Sequence, residues 1–411
     1  MTLVDRPKYL AWLTNWRDRD VIKVITGVRR CGKSTIMEVF ADQLLRDGVA
    51  ASNIHSVNLE DPDNDKYVDD WRLFYNDVSS RLIPDAMNYV FVDEIQQVNE
   101  FQKLVSGLRL KKNIDLYLTG SSSHLLSGEL ATLLSGRYVE LPMLPLSFSE
   151  YVSGRVGVSA MDGKPEFSPT REELYRDYIT NGSFPGTLQL GGNLPMIDTY
   201  LRGILSTVLF QDVASAQKVA STATLGRVVD FLASNVGNLT SVKRISDTLT
   251  TAGTKISRHT VESYLKGLTD AYVFYQARPL DLSGSRLLSS PDKYYLVDPA
   301  LRRMLLGSAR TDEGQILENV VYLELLRRNH EVHVGRINAK EVDFVANGND
   351  ATTYYQVSTT VRDDKTLQRE LAPLQAIRDY NRRVLLTLDT APPISHEGIQ
   401  QLNVLEWLLE V

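Results

Sequence analysis

With a single cysteine, Cys31, in 411 residues, the chain can form no internal disulfide and no thiolate-built zinc site. It lacks an apolar run approaching the roughly 18 residues needed to cross a bilayer. Its start, MTLVDRPKYL, has neither the basic end nor the apolar stretch of a secretory leader. No membrane association is expected, and the cytoplasm is the expected location. An excess of positive charge is missing too: 45 Lys and Arg stand against 51 Asp and Glu, a net charge of -6. Contact with nucleic acid would therefore need a local basic patch, because the overall field does not attract phosphate. No internal repeat, low-complexity tract or disordered tail is seen.

What is present reads as an ordinary globular protein, 43% hydrophobic and 23% charged. The length suggests roughly two to four domains. The strongest local signal is VIKVITGVRRCGKST, residues 21–35. A β-branched run predicts a buried strand, and the G-x-x-x-x-G-K-S that follows places Gly27, Gly32, Lys33 and Ser34 at the turn into a helix. Glycines let backbone N–H groups curl round phosphate oxygens while the helix points its positive end at them. The loop from Gly27 through Arg30, Cys31 and Gly32 to Lys33, Ser34 and Thr35 is the candidate nucleotide cradle. Lys33 is expected on the β- and γ-phosphates and the Ser34 hydroxyl on Mg²⁺. Ile36, Val39, Phe40 and Leu44 then form a helical apolar stripe.

Two later strands complete the expected site. NYVFVDEIQQV, residues 88–98, ends its apolar run in Asp93 and Glu94. Asp93 is expected to hold Mg²⁺ through water, and Glu94 to polarise the attacking water. IDLYLTGSSS, residues 114–123, ends in polar residues suited to sensing the γ-phosphate, with Ser121 or Ser122 as candidate; a plain Ser-rich turn is the competing reading. Strands near 21–27, 54–59, 89–93, 115–119 and 137–141, with helices between, predict a parallel sheet whose ligand sits at the strands' carboxyl ends. The acidic pair and the later polar strand end point to the AAA+ branch of P-loop ATPases. At the fifth strand, Arg137 has two open readings: a surface arginine, or a residue that stabilises charge on a neighbour's γ-phosphate in a ring or dimer. Ser147 and Glu150 have capping-box spacing and start the next helix.

The stretches ITGVRRCGKST, YVFVDEIQ, LYLTGSSS, GRYVELPMLPLSFSEY and NGSFPG together resemble a large prokaryotic family of AAA+ ATP-binding proteins. Its members carry a second, C-terminal domain of unknown function, which SRHTVESYLKGL, KYYLVDPALR, LENVVYLELLRR and EVDFV are similar to. The likeness runs nearly end to end. It implies ATP binding and hydrolysis by an archaeal-ATPase-like core and leaves the cellular task open.

Residues 150–219 read as helical and fit a lid behind that core; NGSFPG, residues 181–186, is a turn by composition and looks like a hinge signature of the family. Three helices are predicted near 223–235, 241–251 and 257–270, with Ser241 and Ser257 at N-cap positions, followed by two strands round a Gly/Ser-rich tip. This is the layout of a winged helix-turn-helix, whose third helix would offer Ser257, Arg258, His259 and Thr260 to a major groove. Between residues 239 and 268, Lys243, Arg244, Lys255, Arg258 and Lys266 face two acids, Asp247 and Glu262. That modest basic patch, with His259, is the candidate contact to double-stranded DNA; an inter-domain clamp or protein-docking surface is the alternative.

From about residue 312 the order helix, three strands, helix, strand resembles the restriction-endonuclease core, with Glu318 able to face Asp343. Such nucleases place an acid and a Lys on the strand after the Asp, where this chain has Gln356 and Ser358. Glu318 and Asp343 give two oxygen ligands and Gln356 a weak neutral third, but Ser358 brings no positive charge. Lys340 and Lys365 are the nearest lysines in sequence. The expectation is a nuclease-like domain that does not cut; Mg²⁺-dependent cleavage is the less favoured alternative.

The expected fold is therefore α/β throughout. A P-loop AAA+ core over residues 1–146 carries a helical lid at 147–219. A winged helix-turn-helix at 220–300 and a degenerate restriction-endonuclease-like domain at 301–411 follow. ATP and Mg²⁺ are the expected cofactors, and a homo-oligomer is a possible assembly. The expected output is a DNA-associated remodeller or motor; the alternative is a nucleotide-controlled switch that docks on protein.

Overall fold

The computed structural model describes residues 3–123, 136–161, 169–214, 221–284, 286–288, 291–307, 312–348 and 351–410. The chain divides into two compact units: Asp5–Met143 with Asp270–Tyr272, and Met1–Val4 with Leu144–Thr269 and Val273–Val411.

The first unit alternates helix and strand: α1 (Pro7–Trp16), β1 (Ile22–Thr26), α2 (Lys33–Arg46), β2 (Ile54–Asn58), α3 (Trp71–Arg81), β3 (Asn88–Asp93), α4 (Phe101–Arg109), β4 (Ile114–Gly120) and β5 (Tyr138–Pro142). The five strands make one sheet in the order β2-β3-β4-β1-β5, with every neighbouring pair parallel. Parallel strands need helical crossovers that cover both faces, which is why the central strands β1, β3 and β4 are buried nearly end to end. Ile22, Val24, Val90, Val92, Leu116 and Leu118 pack on one face against Phe74 and Val78 of α3 and Leu104, Val105 and Leu108 of α4. On the alternate positions Phe91 stacks on Tyr117 at 4.8 Å between ring centroids, and Phe40 of α2 lies 5.3 Å from Tyr117. Each such fully buried large side chain contributes about 1.5–3 kcal/mol. Lys23, in the middle of β1, is tolerated there because its ammonium is paired with Asp115 of β4 and donates to the Arg19 carbonyl.

The sheet order has one consequence for function. β4 lies between β1 and β3, so the loop after β1 and the acids ending β3 flank the carboxyl end of β4.

The second unit opens with Ser147 and Glu150 closing a capping box on α5 (Phe148–Met161): the Glu150 N–H donates to Ser147 Oγ at 3.0 Å, and the Ser147 N–H to Glu150 Oε2 at 2.8 Å. Next come α6 (Arg171–Asn181), α7 (Leu194–Thr207) with a π-helical extension (Val208–Ala214), α8 (Thr222–Ser234), α9 (Val242–Thr251) and α10 (Arg258–Asp270). Ser221, Ser241 and Ser257 each accept a backbone N–H three residues on, so the last three helices start where a hydroxyl caps them.

Strands β6 (Phe274–Ala277), β7 (Pro279–Asp281), β8 (Arg286–Leu287) and β9 (Lys293–Leu296) follow, then α11 (Pro299–Leu306) and α12 (Glu313–Arg327). The chain ends in β10 (Glu331–Ile337), β11 (Lys340–Asn347), β12 (Thr352–Ser358), α13 (Asp364–Gln375), β13 (Arg382–Thr387), β14 (Ile394–His396), β15 (Ile399–Asn403) and α14 (Val404–Leu409). β6 pairs antiparallel with β9. β7 and β8 instead join an eight-stranded mixed sheet, β14-β15-β13-β12-β11-β10-β7-β8. A segment that sequence places wholly in a wing thus contributes an edge to the C-terminal sheet, because β7 pairs parallel with β10. Part of the Gly/Ser-rich tip, residues 285, 289 and 290, lies outside the described residues. α12 is buried on nearly all sides, from Ile316 to Leu325, which explains its weak amphipathic pattern.

NGSFPG is a turn, but a buried one. Asp298 accepts the Ser183 backbone N–H and its hydroxyl (2.7 Å), and also caps α11 by accepting from Ala300 and Leu301. Gly182 closes α6 at φ +87°, where a Cβ would meet the Asp298 carboxylate oxygens at 3.0 Å.

Candidate nucleotide site and a second charged cluster

The phosphate loop is shaped by its glycines. Gly27 lies at φ +149°, and a Cβ there would meet the Met143 carbonyl oxygen at 2.1 Å, so no other residue fits. Gly32, at φ +107°, starts α2 without a side-chain cap, which leaves the helix's first N–H groups facing the loop. Arg30 also takes a left-handed conformation (φ +66°), as the tight loop requires. Arg6 donates to the Cys31 carbonyl at 3.1 Å, tying the loop to the segment before α1. The Cys31 thiol is fully buried, and burial pushes its pKa up against the pull of Lys33 and Arg6, so it is a packing residue and not a reactive one. Thr35 begins the exposed side of the helix beside Ser34.

Lys33 is 4% exposed and turned back over the loop: its ammonium donates to the Gly27 carbonyl at 3.0 Å and lies 3.4 Å from Glu94 Oε1. Asp93 and Glu94, each 5% exposed, end β3 beside it. The Ser34 hydroxyl bonds to Asp93, joining the loop to β3. Burial raises the Asp93 pKa; the Ser34 and Thr119 hydroxyls and Lys33 oppose that rise, and Glu94 adds to it. Burial also pushes Glu94 upward, but Lys33, Ser121, Arg29 and Gln96 outweigh it and hold Glu94 below its ordinary value. Glu94 sits at φ +54°, a strained position for an L-residue, and is fixed there by its N–H to Thr119 Oγ1 at 2.8 Å.

Thr119, at the carboxyl end of β4, touches both acids, donating to Asp93 while it accepts from Glu94. Gln96 donates to Glu94 Oε2 and, at 3.2 Å, to Ser121 Oγ. Sequence points to Ser121 or Ser122; Ser121 bonds to Glu94 alone of the two acids, whereas Thr119 touches both. Its signal was the polar residue two places before Ser121 in LYLTGSSS, on a strand that the sheet order inserts between β1 and β3. The donor set suits a nucleotide with a hard divalent cation: helix N–H groups and an ammonium for phosphate, a hydroxyl and a carboxylate for the metal.

Arg137 is not brought to this site. It is exposed, and its carbonyl accepts the Ile22 N–H at 2.9 Å at the amino ends of β5 and β1. With about 3.3 Å per residue, that is roughly 16 Å along the strand from Gly27, so it cannot act on a nucleotide held by its own chain.

The C-terminal sheet carries a second charged cluster. Glu318 of α12 and Asp343 of β11 do meet, but across a cation that sequence reasoning missed. Lys293 of β9, its side chain 3% exposed, lies 2.8 Å from Glu318 Oε1, 2.8 Å from Glu341 Oε1 and 3.9 Å from Asp343 Oδ1. Burial alone would lower the Lys293 pKa; Glu318, Asp343 and Glu341 outweigh it and raise it. Gln356 does not serve as a third ligand: its oxygen accepts from the Asp343 N–H at 3.4 Å and its amide donates to Glu370 at 3.0 Å, so both ends are occupied. Glu341 takes that place because it lies two residues from Asp343, on the same face of β11. Lys340 donates to the Ala372 carbonyl and Lys365 is exposed; neither reaches the cluster. The one hint in the sequence was a lysine at the head of the short strand KYYL.

Asp343 is held well above the ordinary carboxyl value, first by burial and then by Glu318, against the pull of Lys293 and the Val357 N–H. The folded chain therefore binds this proton more tightly than the unfolded chain, and stability falls as pH rises above the unfolded value of about 3.9. Asp343→Asn, which removes the titration, is expected to gain stability over wild type increasingly between about pH 4 and pH 7. Paired thermal melts across that range check it, and a gap that does not change with pH refutes it.

Lys243, Arg244, Lys255, Arg258 and His259 are all exposed on or beside α9 and α10. Part of that charge is engaged at home: Lys243 pairs with Asp247 at 2.9 Å, and Arg244 donates to the Leu239 carbonyl at 3.3 Å. Among the described residues no helix is long and apolar enough to cross a membrane.

Comparison with known proteins agrees with this architecture. A family model described as an AAA domain matches residues 19–152, and one described as a domain of unknown function (DUF8612) matches residues 172–312. An uncharacterised protein of Haemophilus influenzae is 37% identical over 410 residues, covering 99% of both chains. An uncharacterised protein of Methanocaldococcus jannaschii is 27% identical over 405 residues, 95% of this chain and 86% of its own. The Walker-type ATPase of Pyrococcus abyssi superposes with a TM-score of 0.51 at 14% identity, over 74% of this chain and 96% of its own, a likeness of fold alone. With its parallel P-loop sheet and the further α/β unit that follows in sequence, the chain belongs to the prokaryotic family of AAA proteins with a C-terminal domain of unknown function, the family of the Haemophilus influenzae relative.

Proposed function

We propose that the chain binds and hydrolyses ATP with Mg²⁺ and couples turnover to a conformational change in a DNA-associated remodelling or motor role. The observation that carries the ATPase reading is the convergence of Lys33, Ser34, Asp93, Glu94 and Thr119 on the loop from Gly27 to Gly32. Lys33 binds phosphate. To do so it gives up its contacts with the Gly27 carbonyl and Glu94, so substrate entry frees the Glu94 carboxylate to take a proton from the attacking water. Ser34 and Asp93 would hold Mg²⁺, which neutralises charge on the β- and γ-phosphates when bound. Thr119 and Ser121 keep the two acids in place. Arg137 then has a role only on the nucleotide of a neighbouring chain in a homo-oligomer.

The DNA-associated reading rests on α8, α9, α10 and the β6–β9 pair as a winged helix, with Arg258 and His259 on the exposed first turn of its third helix. The nuclease-like domain is read as a non-cutting scaffold. Arg258→Glu is expected to lower retention on double-stranded DNA by about tenfold or more at moderate salt, with nucleotide uptake retained. Failure of the wild type to be retained at all would sink this half of the proposal. A second reading, a nucleotide-controlled switch that docks on protein, is favoured by one observation: the Lys243–Asp247 pair and the Arg244 contact spend basic charge within the module.

A further inference from the structure

We propose that the ammonium of Lys293 is the built-in cation of the cluster formed by Glu318, Glu341 and Asp343, and that it keeps divalent metal ions out. One positive centre faces oxygens of three carboxylates, at 2.8, 2.8 and 3.9 Å, the kind of shell that a hard divalent cation otherwise gathers. Other oxygen capacity is already in use: the Tyr295 hydroxyl donates to Glu318 Oε1 at 2.7 Å, and the Val357 N–H to Asp343 Oδ2 at 2.9 Å. On the remaining side Gly237, at φ +74°, lies so close that a Cβ there would meet Glu318 Oε2 at 3.0 Å.

Entry of a metal would have to strand the ammonium beside it. Lys293 is the first residue of β9, opposite Ala277 of β6, and its side chain is 3% exposed, so moving the ammonium aside would break its buried ion pairs. The lysine therefore balances the carboxylates as a metal would but cannot bind and activate a water molecule as a metal does. That gives a physical reason why a chain with this arrangement of strands and acids would not cleave phosphodiesters. The inference is independent of the nucleotide site.

The test uses the full chain without nucleotide and Mn²⁺ as probe, reading uptake by paramagnetic resonance and Tm by calorimetry. Wild type is expected to show no Mn²⁺ uptake that Asp343→Asn removes. Lys293→Ala exposes the carboxylates to one another and is expected to melt lower, to take up Mn²⁺ at least about tenfold more tightly than wild type, and to regain about 5 °C or more in Tm at a hundredfold excess over Kd. A folded Lys293→Ala that gains neither Mn²⁺ nor Tm overturns the proposal, and so does wild-type uptake that Asp343→Asn abolishes. Should Lys293→Ala fold only with Mn²⁺, the proposal is upheld. Should it fail to fold at all, the paired wild-type and Asp343→Asn uptake measurements decide by themselves.

Discussion

Glu94→Gln is expected to hold ATP without turning it over, with the hydrolysis rate lowered by about 10²- to 10⁴-fold and nucleotide affinity kept or improved. Glutamine matches the shape of glutamate and can still meet Gln96 and Ser121, but it cannot accept the proton of the attacking water. It also ends the attraction that holds Lys33 at 3.4 Å from Glu94, so the ammonium is more available to phosphate. Lys33→Ala should do the opposite and lose nucleotide. Truncating one partner of a buried charge pair costs about 2–5 kcal/mol, which corresponds to roughly 30- to 5,000-fold in affinity. Binding measured with a non-hydrolysable analogue, alongside single-turnover hydrolysis, separates the two variants. Robust turnover by purified Glu94→Gln would remove Glu94 from the role given to it, and unchanged affinity in Lys33→Ala would remove the lysine.

Asp298→Ala is the substitution expected to cost the most stability. The carboxylate is fully buried and accepts four hydrogen bonds: two from the first turn of α11, and two from Ser183 in the NGSFPG turn. Losing the helix cap costs about 1 kcal/mol. Leaving the buried Ser183 N–H and hydroxyl without partners costs about 1–3 kcal/mol each, for a loss of about 3–7 kcal/mol in all. In a unit of this size that lowers Tm by about 6–20 °C. Ser183→Ala is the control, since it removes one of the four bonds and should show a smaller fall. A change of less than about 1 kcal/mol in Asp298→Ala would mean that water replaces the carboxylate and that the turn is not held as described.

The nucleotide half of the molecule was legible because its signals are local. Gly27, Gly32, Lys33 and Ser34 act within one turn of chain, and Asp93 with Glu94 ends a strand whose apolar run identifies it. The capped helices α9 and α10 were legible for the same reason, since Ser241 and Ser257 bond three residues ahead, whereas Ser221, the cap of α8, was not singled out. Thr119 was passed over because its importance depends on which strands flank β4, and strand order is not written in any one segment. Arg137 keeps both of its readings, because an exposed residue at the amino end of β5 fits a plain surface arginine as well as one that acts on a neighbouring chain.

The C-terminal cluster marks the limit most clearly. Glu318 and Asp343 can be paired from the order of elements, but the lysines nearest in sequence, Lys340 and Lys365, are not the cation between them. Lys293 comes from a strand that precedes both acids by more than a helix, and it was assigned to a different module. Its role arises only where β9, α12 and β11 come together.

Sequence by itself determined the phosphate loop, its two acids, the alternation that makes a parallel sheet, and the helix starts, because each depends on backbone conformation or hydrogen bonds spanning a few residues. The tertiary structure alone decided the partners of those groups: Thr119 between the acids, Asp298 under the Ser183 turn, and Lys293 among three carboxylates. The physical reason is that charge neutralisation in a dry interior is settled by whichever side chain the packing brings within about 4 Å, whatever its distance along the chain.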